Sequence, residues 1–456
     1  MFLPSDFTTR MSLWMGDYAL LETALQQEAP VSIRLHPDKG ATAQPRYEKV
    51  PWCDTGYYLP ERPAFTFDPL FHAGAYYVQE AASMFLEQAV KQYVSSPCLC
   101  LDLCAAPGGK ATHLLRLLPD GSLLVANEVV RSRCAVLAEN TAKWGAPHVV
   151  VTNNGAEAFG RLGQVFDLVV VDAPCSGEGM FRKDVASREE WSVAGVHHCA
   201  ARQRRILHDV WDALKPGGIC IYSTCTFNRE ENEENIRYFA ETLPAEVLPV
   251  SVGRDWGVSC GGDGTYPSYR FFPHKTRGEG FFLAVLRKTE GHEQRLRRKV
   301  KNRLPASRRP LGVEEWLTGK EPFHFDVKGT DVRAIPASCG EMYEWLAERL
   351  HIVSAGVQVG VLKGKEVLPS AALALSVAFR REAFPVVELS WPDAVGYLQK
   401  KALILPDDTP KGCVAVTYRH IPLGFVKHVG SRANNLYPQE WRILNQHLPE
   451  RAPGVV

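Results

Sequence analysis

The sequence lacks several features that would assign a protein quickly to a class. Its 12 cysteines include no Cys-x-x-Cys pair, which speaks against a zinc site or a redox dithiol, so no metal is expected. No apolar run reaches the about 18 residues that a membrane helix needs. The first residues also lack a basic segment followed by an apolar one. We therefore expect a cytoplasmic protein with free thiols and no membrane partner.

The sequence also lacks a clear excess of positive or negative charge. The chain carries 52 Lys and Arg against 51 Asp and Glu, so a polyanion would have to be met by a local patch. With 45% hydrophobic and 23% charged residues, disorder is excluded for most of the chain. Its 456 residues are enough for about three domains.

Short apolar runs alternate with helix-like segments between residues 76 and 288. The pattern predicts strands over 98–103, 123–127, 149–151, 166–171 and 218–223, and helices over 109–118, 131–144 and 200–214. This alternation is typical of a doubly wound, mostly parallel sheet that binds ligands at the carboxyl ends of its strands. A further strand over 281–287 is expected to close the sheet edge.

The first chemical motif, DLCAAPGGK over 102–110, stands where the first strand turns into the first helix. Its glycines allow close approach of a ligand, and the helix amino end favours a carboxylate or phosphate. The spacing of its glycines matches neither a Walker loop nor the GxGxxG motif. The alternative to a ligand-binding turn is a plain tight turn. Glu128, at the end of the second strand, lies where such folds bind ribose hydroxyls; a solvated carboxylate is the alternative.

Two further motifs end neighbouring strands on the same side of the sheet. They are DAPCSGEGMFRKD over 172–184 and YSTCT over 222–226, which place Cys175 and Cys225 at one pocket. A methyltransferase acting on a planar nitrogen would show (D/N)PP(Y/F) at the first of these places, so nitrogen methylation is disfavoured. The alternative is that both cysteines are small hydrophobic residues that happen to end strands.

Two thiols and a carboxylate suit methylation of cytosine at carbon 5. A thiolate that adds at carbon 6 activates carbon 5, and the second cysteine then belongs to the release of product. Asp172 would hold the ring at nitrogen 3 or at the exocyclic amine. The spacing does not say which cysteine is the nucleophile, since the Pro174-Cys175 dipeptide also occurs at the nucleophile of DNA cytosine methyltransferases.

Together the three motifs resemble those of the Nol/Nop/Sun family of RNA 5-methylcytosine methyltransferases. The resemblance extends over residues 50–60, 75–84 and 270–284. Both ends of the chain resemble the bacterial RsmF-like branch, whose tail is a PUA-like RNA-binding domain. The resemblance implies an α/β fold with a Rossmann-like class I methyltransferase sheet, a small α+β N-terminal domain and a C-terminal PUA-like region.

The resemblance also implies the functional residues. Cys225 would be the nucleophile, Cys175 would release product, and Asp172 and Lys110 complete the catalytic set. S-adenosylmethionine would be bound by Glu128, by Asp172 and by the glycine-rich turn, which contains Cys104, Ala105, Ala106, Pro107, Gly108, Gly109 and Lys110.

The sequence departs from the family pattern beyond the third predicted strand. Gly155 stands where the family usually has an Asp near the adenine amine. Asn153, Asn154 or backbone amides are the candidates to serve in its place.

The domain organisation is predicted from shifts in composition. We expect an N-terminal RNA-binding domain over 1–75, the catalytic domain over 76–288, a basic linker over 289–310, a middle RNA-binding or packing domain over 311–390 and the PUA-like RNA-binding domain over 391–456. The linker is either a solvated tether or a phosphate-contacting segment. In the last domain, aromatic and basic residues interleave, which predicts contact with RNA phosphates and stacking on bases. The alternative is an ordinary sheet surface. The residues are Tyr418, Arg419, His420, Phe425, Lys427, His428 and Arg432.

The sequence therefore predicts an S-adenosylmethionine-dependent cytosine-5 methyltransferase that acts on 16S rRNA, free or in the small ribosomal subunit, and not on DNA. A tRNA cytosine-5 methyltransferase is one alternative. A catalytically silent RNA-binding assembly factor is the other, and the intact Asp172, Cys175 and Cys225 argue against it.

Overall fold

The structure, a computed structural model, describes residues 3–261, 264–291, 312–364 and 366–456. Residues 292–310 of the predicted basic linker lie outside the described residues, so neither interpretation of that linker is tested.

The first part of the chain contains helices and a four-stranded antiparallel sheet. In chain order the elements are α1 (Ser5–Trp14), α2 (Tyr18–Leu25), β1 (Val31–Leu35), β2 (Glu48–Lys49), β3 (Gly56–Leu59), α3 (Pro69–His72) and β4 (Tyr76–Val78). The strand order is β2-β3-β1-β4. Phe7 and Met11 of α1 pack in one cluster with Phe181, which lies within the first cysteine motif, and Phe227, which follows the second. The N-terminal helices therefore brace the loops that carry those motifs.

The second part contains the large sheet. Its elements are α4 (Leu86–Tyr93), β5 (Leu99–Asp102), α5 (Gly109–Leu117), β6 (Leu123–Asn127), α6 (Arg131–Trp144), β7 (Val149–Thr152), α7 (Ala156–Gly160), β8 (Phe166–Asp172), α8 (Val185–Glu190), α9 (Val193–Trp211), β9 (Leu214–Thr224), α10 (Glu233–Thr242), β10 (Ala245–Leu248), β11 (Ser259–Cys260), β12 (Tyr269–Phe271) and β13 (Phe281–Lys288). The predicted strands and helices are confirmed, except that the helix predicted over 200–214 begins earlier and ends earlier: α9 spans Val193–Trp211, and Leu214 is already the first residue of β9.

Strands β5 to β9 form a parallel core in the order β9-β8-β5-β6-β7, which confirms the doubly wound sheet. The prediction that the strand over 281–287 closes the sheet edge is wrong. β13 pairs with β9 on one side, and β10 and β12 pair with it on the other. These outer strands have only four and three residues, too few for an alternating apolar pattern to be recognised in the sequence.

The parallel strands are buried on both faces. Along β6, Leu124 and Ala126 belong to one core cluster, whereas Leu123 and Val125 belong to the cluster on the opposite face. Both faces are covered by other elements, so the strands read as continuous apolar runs rather than as alternating ones.

The middle part extends the large sheet, which the sequence did not predict. Its elements are β14 (Phe323–Lys328), β15 (Asp331–Pro336), α11 (Gly340–Ala347), β16 (Ile352–Ala355), β17 (Val357–Lys363), β18 (Glu366–Pro369) and α12 (Ala371–Leu375). Four strands form their own sheet in the order β14-β15-β17-β18. The remaining strand, β16, pairs antiparallel with β7 at the far edge of the large sheet.

The C-terminal part forms a sheet in the order β19-β20-β21-β22. Its elements are β19 (Val386–Glu388), α13 (Trp391–Leu398), β20 (Gly412–Tyr418), β21 (Ile421–His428) and β22 (Ala433–Asn435). Phe425 is fully buried against Phe379 and Phe384, so the prediction that it stacks on RNA bases is wrong. Alternate residues of a strand point to opposite faces, and β21 is covered on both: Phe425 packs in one core cluster and Val426 in another.

The other helices are single 3₁₀ turns. They span Pro37–Lys39, Phe65–Phe67, Ala82–Phe85, Glu178–Met180, Glu314–Trp316, Ala337–Cys339 and Arg381–Ala383. Over the four described stretches of the chain, none of the helices has both the length and the apolar character that crossing a bilayer would require.

The C-terminal tail is anchored in the first part of the chain. The side chain of Val455 is 1% exposed and packs in the core of the N-terminal sheet with Ile33 and Leu35. The hydroxyl of Tyr47 donates a hydrogen bond of 2.9 Å to the carbonyl oxygen of Val455. The two ends of the described chain therefore stabilise each other.

Replacing this anchor should lower stability. Val455→Ala removes two buried carbon atoms, so we expect the free energy of unfolding to fall by about 2 kcal/mol. Chemical denaturation measures the change, and Leu444→Ala is the matched control because Leu444 is 73% exposed. Equal stability of the two variants would show that the tail does not hold the N-terminal sheet.

Candidate active site

The glycine-rich turn connects β5 to α5 and is fixed by backbone contacts. Gly108 has a φ of 118°, a left-handed conformation that favours glycine, and it caps the start of α5. The amide of Ala105 donates to the carbonyl of Asn127 at 2.8 Å, and Arg133 donates to the carbonyl of Ala106. All the residues predicted for the turn, Cys104 to Lys110, lie between the end of β5 and the first turn of α5.

Asp102, the first residue of this motif, lies at the end of β5 and was not singled out from the sequence. Its side chain is fully buried, and neither carboxyl oxygen has a hydrogen-bond partner in the described structure. Burial, and then the charge of Asp172, raise the pKa of Asp102 to about 8. A buried acidic group without a partner fits a ligand that brings a cation or a hydrogen-bond donor.

Lys110 and Asp172 form an ion pair at the centre of the site. The Lys110 Nζ lies 2.7 Å from the Asp172 Oδ2, and the hydroxyl of Ser223 donates to the Asp172 Oδ1 at 2.8 Å. Burial alone would lower the pKa of Lys110, but Asp172 raises it above its ordinary value, with smaller contributions from Asp102 and Cys225. The ammonium group therefore stays charged beside the cysteine motifs.

Glu128 follows β6, as the sequence predicted, and is 3% exposed. Its Oε1 accepts the backbone amide of Val130 at 2.9 Å, and its Oε2 lies 3.4 Å from the guanidinium of Arg133. These contacts hold the carboxylate at the carboxyl edge of the sheet, next to the glycine-rich turn.

Cys175 and Cys225 meet at the ends of β8 and β9. Their sulfur atoms are 3.0 Å apart, too far for a disulfide bond, and both thiols are free. The hydrogen bond to Cys225 and burial raise the pKa of Cys175 well above its ordinary value. The Cys175 thiol therefore keeps its proton at neutral pH.

A buried polar network fixes the two cysteine loops. The amide of Asn228 donates to the Glu231 Oε1 at 2.7 Å and to the Glu178 Oε1 at 3.1 Å. Glu231 also accepts the backbone amide of Ser176 at 3.1 Å and the amide of Gln203 at 2.6 Å. Burial raises the pKa of Glu231 to about 7 and raises the pKa of Glu178 above its ordinary value.

Close packing at Gly179 completes this arrangement. A Cβ atom at Gly179 would lie 2.7 Å from the carbonyl oxygens of both Cys225 and Gly280. The Gly179 amide donates to the same Cys225 carbonyl at 2.9 Å. Only glycine therefore allows the loop after Cys175 to contact the loop after β9.

Beyond β7, the two asparagines proposed to replace the missing Asp are engaged elsewhere. The Asn153 amide donates to the carbonyls of Glu128 and Val129 at 2.6 and 2.9 Å. Asn154 donates to the carbonyl of His351 and accepts its amide. Their side chains thus hold the β6 loop and the middle part of the chain.

Outside this site, Cys53, Glu87 and His113 form a buried group of metal-ligand types. The two carboxylate oxygens of Glu87 already contact His113 at 2.9 Å and Lys91 at 2.6 Å. The hydrogen bond and the ion pair account for the group without an ion. That the protein needs no metal stays a prediction.

The network around Asn228 makes a testable prediction. Asn228→Asp would place a third carboxylate between Glu178 and Glu231, so we expect the free energy of unfolding to fall by about 3 kcal/mol at pH 8. The loss should shrink as the pH falls below 7, because Glu231 takes up a proton there. Thermal or urea denaturation tests this, with the exposed Asn434→Asp as control. A loss that does not change with pH would contradict the role given to Glu231.

Comparison with known proteins agrees with the arrangement of motifs. The family model of the 16S rRNA methyltransferase RsmB/F matches residues 95–287. Models of the N-terminal domain of 16S rRNA methyltransferase RsmF and of the methyltransferase RsmF PUA domain match residues 3–81 and 384–443. The finer domain boundaries given above stay predictions.

Individual relatives match over most of the chain. The ribosomal RNA small subunit methyltransferase F of Citrobacter koseri is 32% identical, and the match covers 86% of this chain and 84% of that protein. That of Escherichia fergusonii is also 32% identical, with the same coverage.

A solved structure of a methyltransferase homolog protein from Pyrococcus horikoshii has 28% identity and a TM-score of 0.53. The match covers 62% of this chain and 94% of that one. The fold, the family and the PUA region predicted from the sequence are confirmed, and the chain belongs to the RsmB/F family of methyltransferases, in its RsmF branch.

Proposed function

We propose that this protein transfers a methyl group from S-adenosylmethionine to carbon 5 of a cytosine in 16S rRNA, through a covalent adduct with a cysteine. The observation that carries the proposal is the pair of free sulfur atoms, Cys175 and Cys225, 3.0 Å apart beside the Lys110–Asp172 ion pair. The names of the relatives support ribosomal RNA as the substrate class, and a cytoplasmic location fits such a substrate.

Cys225 is the nucleophile in this proposal. Its thiolate forms a bond to carbon 6 of the cytosine, which raises the electron density at carbon 5. The high pKa of Cys175 supports this assignment, because a thiol that keeps its proton at neutral pH is a poor nucleophile. Burial lowers the pKa of Lys110, but Asp172 and, to a smaller extent, Asp102 and Cys225 raise it above its ordinary value, so a charged ammonium group is present to stabilise the thiolate.

Cys175 acts in product release. After methylation the proton on carbon 5 has to be removed before the bond between carbon 6 and Cys225 can break and return the thiolate. This proton passes to the sulfur of Cys175, which lies next to Cys225 and accepts it as a thiolate after giving its own proton to solvent. The electron pair of the C5–H bond re-forms the ring double bond as the Cys225 thiolate leaves. Asp172 holds the cytosine ring at nitrogen 3 or at the exocyclic amine, and Ser223 and Lys110 fix its orientation.

The residues at the carboxyl edge fit S-adenosylmethionine. When bound, this cofactor supplies the electrophilic methyl group. The turn from Cys104 to Lys110 would hold its methionine moiety at the amino end of α5, and Glu128 its ribose hydroxyls. The buried Asp102, which has no partner of its own, adds an acceptor for the amino group.

RNA binding is required because a cytosine in a helix must leave its stack before Cys225 can reach carbon 6. Unstacking costs a few kcal/mol, which contacts to other domains offset. We assign this role to the N-terminal domain and to the C-terminal PUA-like region, here a four-stranded sheet.

The proposed substrate is tested by mapping 5-methylcytosine. Bisulfite sequencing of rRNA and tRNA from cells with and without this protein should show loss of at least one 16S rRNA site, restored by the wild-type chain and not by Cys225→Ala. A change confined to tRNA would establish the tRNA alternative. Unchanged methylation of both RNAs would favour the silent assembly factor.

The roles of the cysteines are tested by trapping the adduct. On RNA that carries 5-fluorocytosine, where carbon 5 has no proton to lose, the wild-type protein should form a stable covalent complex and Cys225→Ala should form none. On ordinary RNA, Cys175→Ala should accumulate the complex, because release fails. Cys260→Ala is the control, since Cys260 is an exposed thiol. An adduct with Cys225→Ala and none with Cys175→Ala would reverse the assignment.

The raised pKa of Asp102 predicts that cofactor binding depends on pH. Below about pH 8 the free protein holds this group protonated. A bound ammonium group favours the carboxylate, so binding should release a proton, and affinity should rise by up to about tenfold per pH unit between 6.5 and 8. Calorimetry with S-adenosylhomocysteine, in buffers of different ionisation enthalpy, measures the release. Asp102→Asn should abolish it and the exposed Asp255→Asn should not; a wild-type protein that releases no proton would contradict the prediction.

A further inference from the structure

The carboxyl end of β7 has an unusual arrangement. Gly155 precedes α7 with a φ of −73°, an ordinary conformation open to any residue. A Cβ atom at Gly155 would lie 2.6 Å from the Oε1 and 2.8 Å from the Cδ of Glu157. The carboxylate of Glu157, two residues along the chain, therefore occupies the space in which a side chain at position 155 would begin.

The Glu157 carboxylate is free to accept hydrogen bonds. It is exposed, and it makes no hydrogen bond or ion pair with the residues that the structure describes. The neighbouring Asn153 and Asn154, in contrast, are engaged with the β6 loop and with His351. Two side-chain acceptors after β7 are therefore left for a ligand, the neutral Oδ1 of Asn153 and the carboxylate of Glu157, and only the carboxylate carries a charge.

The order of the strands places the segment that carries Glu157 on the side to which the base of a bound adenosine ligand would point. β5, β6 and β7 are parallel neighbours about 4.8 Å apart. They are followed by the glycine-rich turn, by Glu128 and by the short segment that leads into α7, which carries Glu157 in its first turn. A ligand with its methionine moiety at the turn and its ribose at Glu128 directs its base away from β5, towards β7. Val129, 55% exposed beside Glu128, offers an apolar surface for the ring.

We propose that Glu157 binds the adenine of S-adenosylmethionine by accepting a hydrogen bond from its 6-amino group, in the space that Gly155 leaves free. A carboxylate only accepts hydrogen bonds, and this amino group is the donor on that edge of the ring. The inference rests on the proposed use of S-adenosylmethionine and adds to it the residue that selects the base. It makes Glu157 a cofactor-binding residue.

The test compares two ligands that differ at position 6 of the purine. Calorimetry gives the dissociation constants of S-adenosylhomocysteine and of S-inosylhomocysteine, which has an oxygen in place of the amino group. The wild-type protein should prefer the adenosyl ligand by about tenfold, the worth of one hydrogen bond to a charged acceptor. Glu157→Ala should lose most of that preference, whereas the exposed Glu241→Gln should keep it.

Two further variants separate recognition of the base from a structural effect. Glu157→Gln supplies an amide donor, so it should bind the inosyl ligand better than Glu157→Ala does. The double variant Gly155→Asp/Glu157→Ala places a carboxylate in the same space without overlap, and it should regain preference for the adenosyl ligand.

The outcomes distinguish the inference from the function on which it rests. If the wild-type protein binds S-adenosylhomocysteine and Glu157→Ala keeps the full preference for it, the role of Glu157 is overturned and the use of the cofactor is not. If the wild-type protein binds neither ligand, the proposed function fails and this inference fails with it.

Discussion

The contact between the sulfur atoms of Cys175 and Cys225 depends on two loops that leave neighbouring parallel strands. Parallel strands end at one edge of the sheet, so the ends of β8 and β9 lie side by side. Strand pairing alone does not hold the loops that follow them at hydrogen-bonding distance. Asn228, placed between the carboxyl groups of Glu178 and Glu231, supplies that precision. Gly179 allows the loops to touch because it has no side chain. The positions of the two cysteine loops are therefore set by a buried network around them.

This network joins groups that are costly to bury. Two carboxyl groups lie in the interior, and burial raises the pKa of both. Amide and backbone donors satisfy them, an arrangement that tolerates few substitutions because each lost donor leaves a buried acceptor unpaired. The cluster of Phe7, Phe181 and Phe227 covers the same loops with residues from α1. The N-terminal helices thus contribute to the catalytic site although they belong to another domain in sequence.

The parts of the chain are interlocked. β16 of the middle part extends the catalytic sheet, and His351, just before it, binds Asn154 at the edge where the adenosine is proposed to lie. Val455 returns to the core of the N-terminal sheet. The middle part therefore contacts the edge of the large sheet at which the cofactor is proposed to bind, and the C-terminal tail joins the N-terminal sheet.

The sequence by itself determined the parallel strands, the three motifs and the pairing of Cys175 with Cys225 at one edge. These follow from local signals, because apolar runs define buried strands and a doubly wound sheet aligns their ends. Only the tertiary structure decided the outer pairing of β13, the insertion of β16, the burial of Phe425 and the position of Glu157 beside Gly155. Short strands carry too little pattern to be recognised, and a contact such as that of Asn154 with His351 joins residues 197 positions apart. Such contacts exist only once the chain has folded, since no local pattern encodes the partner.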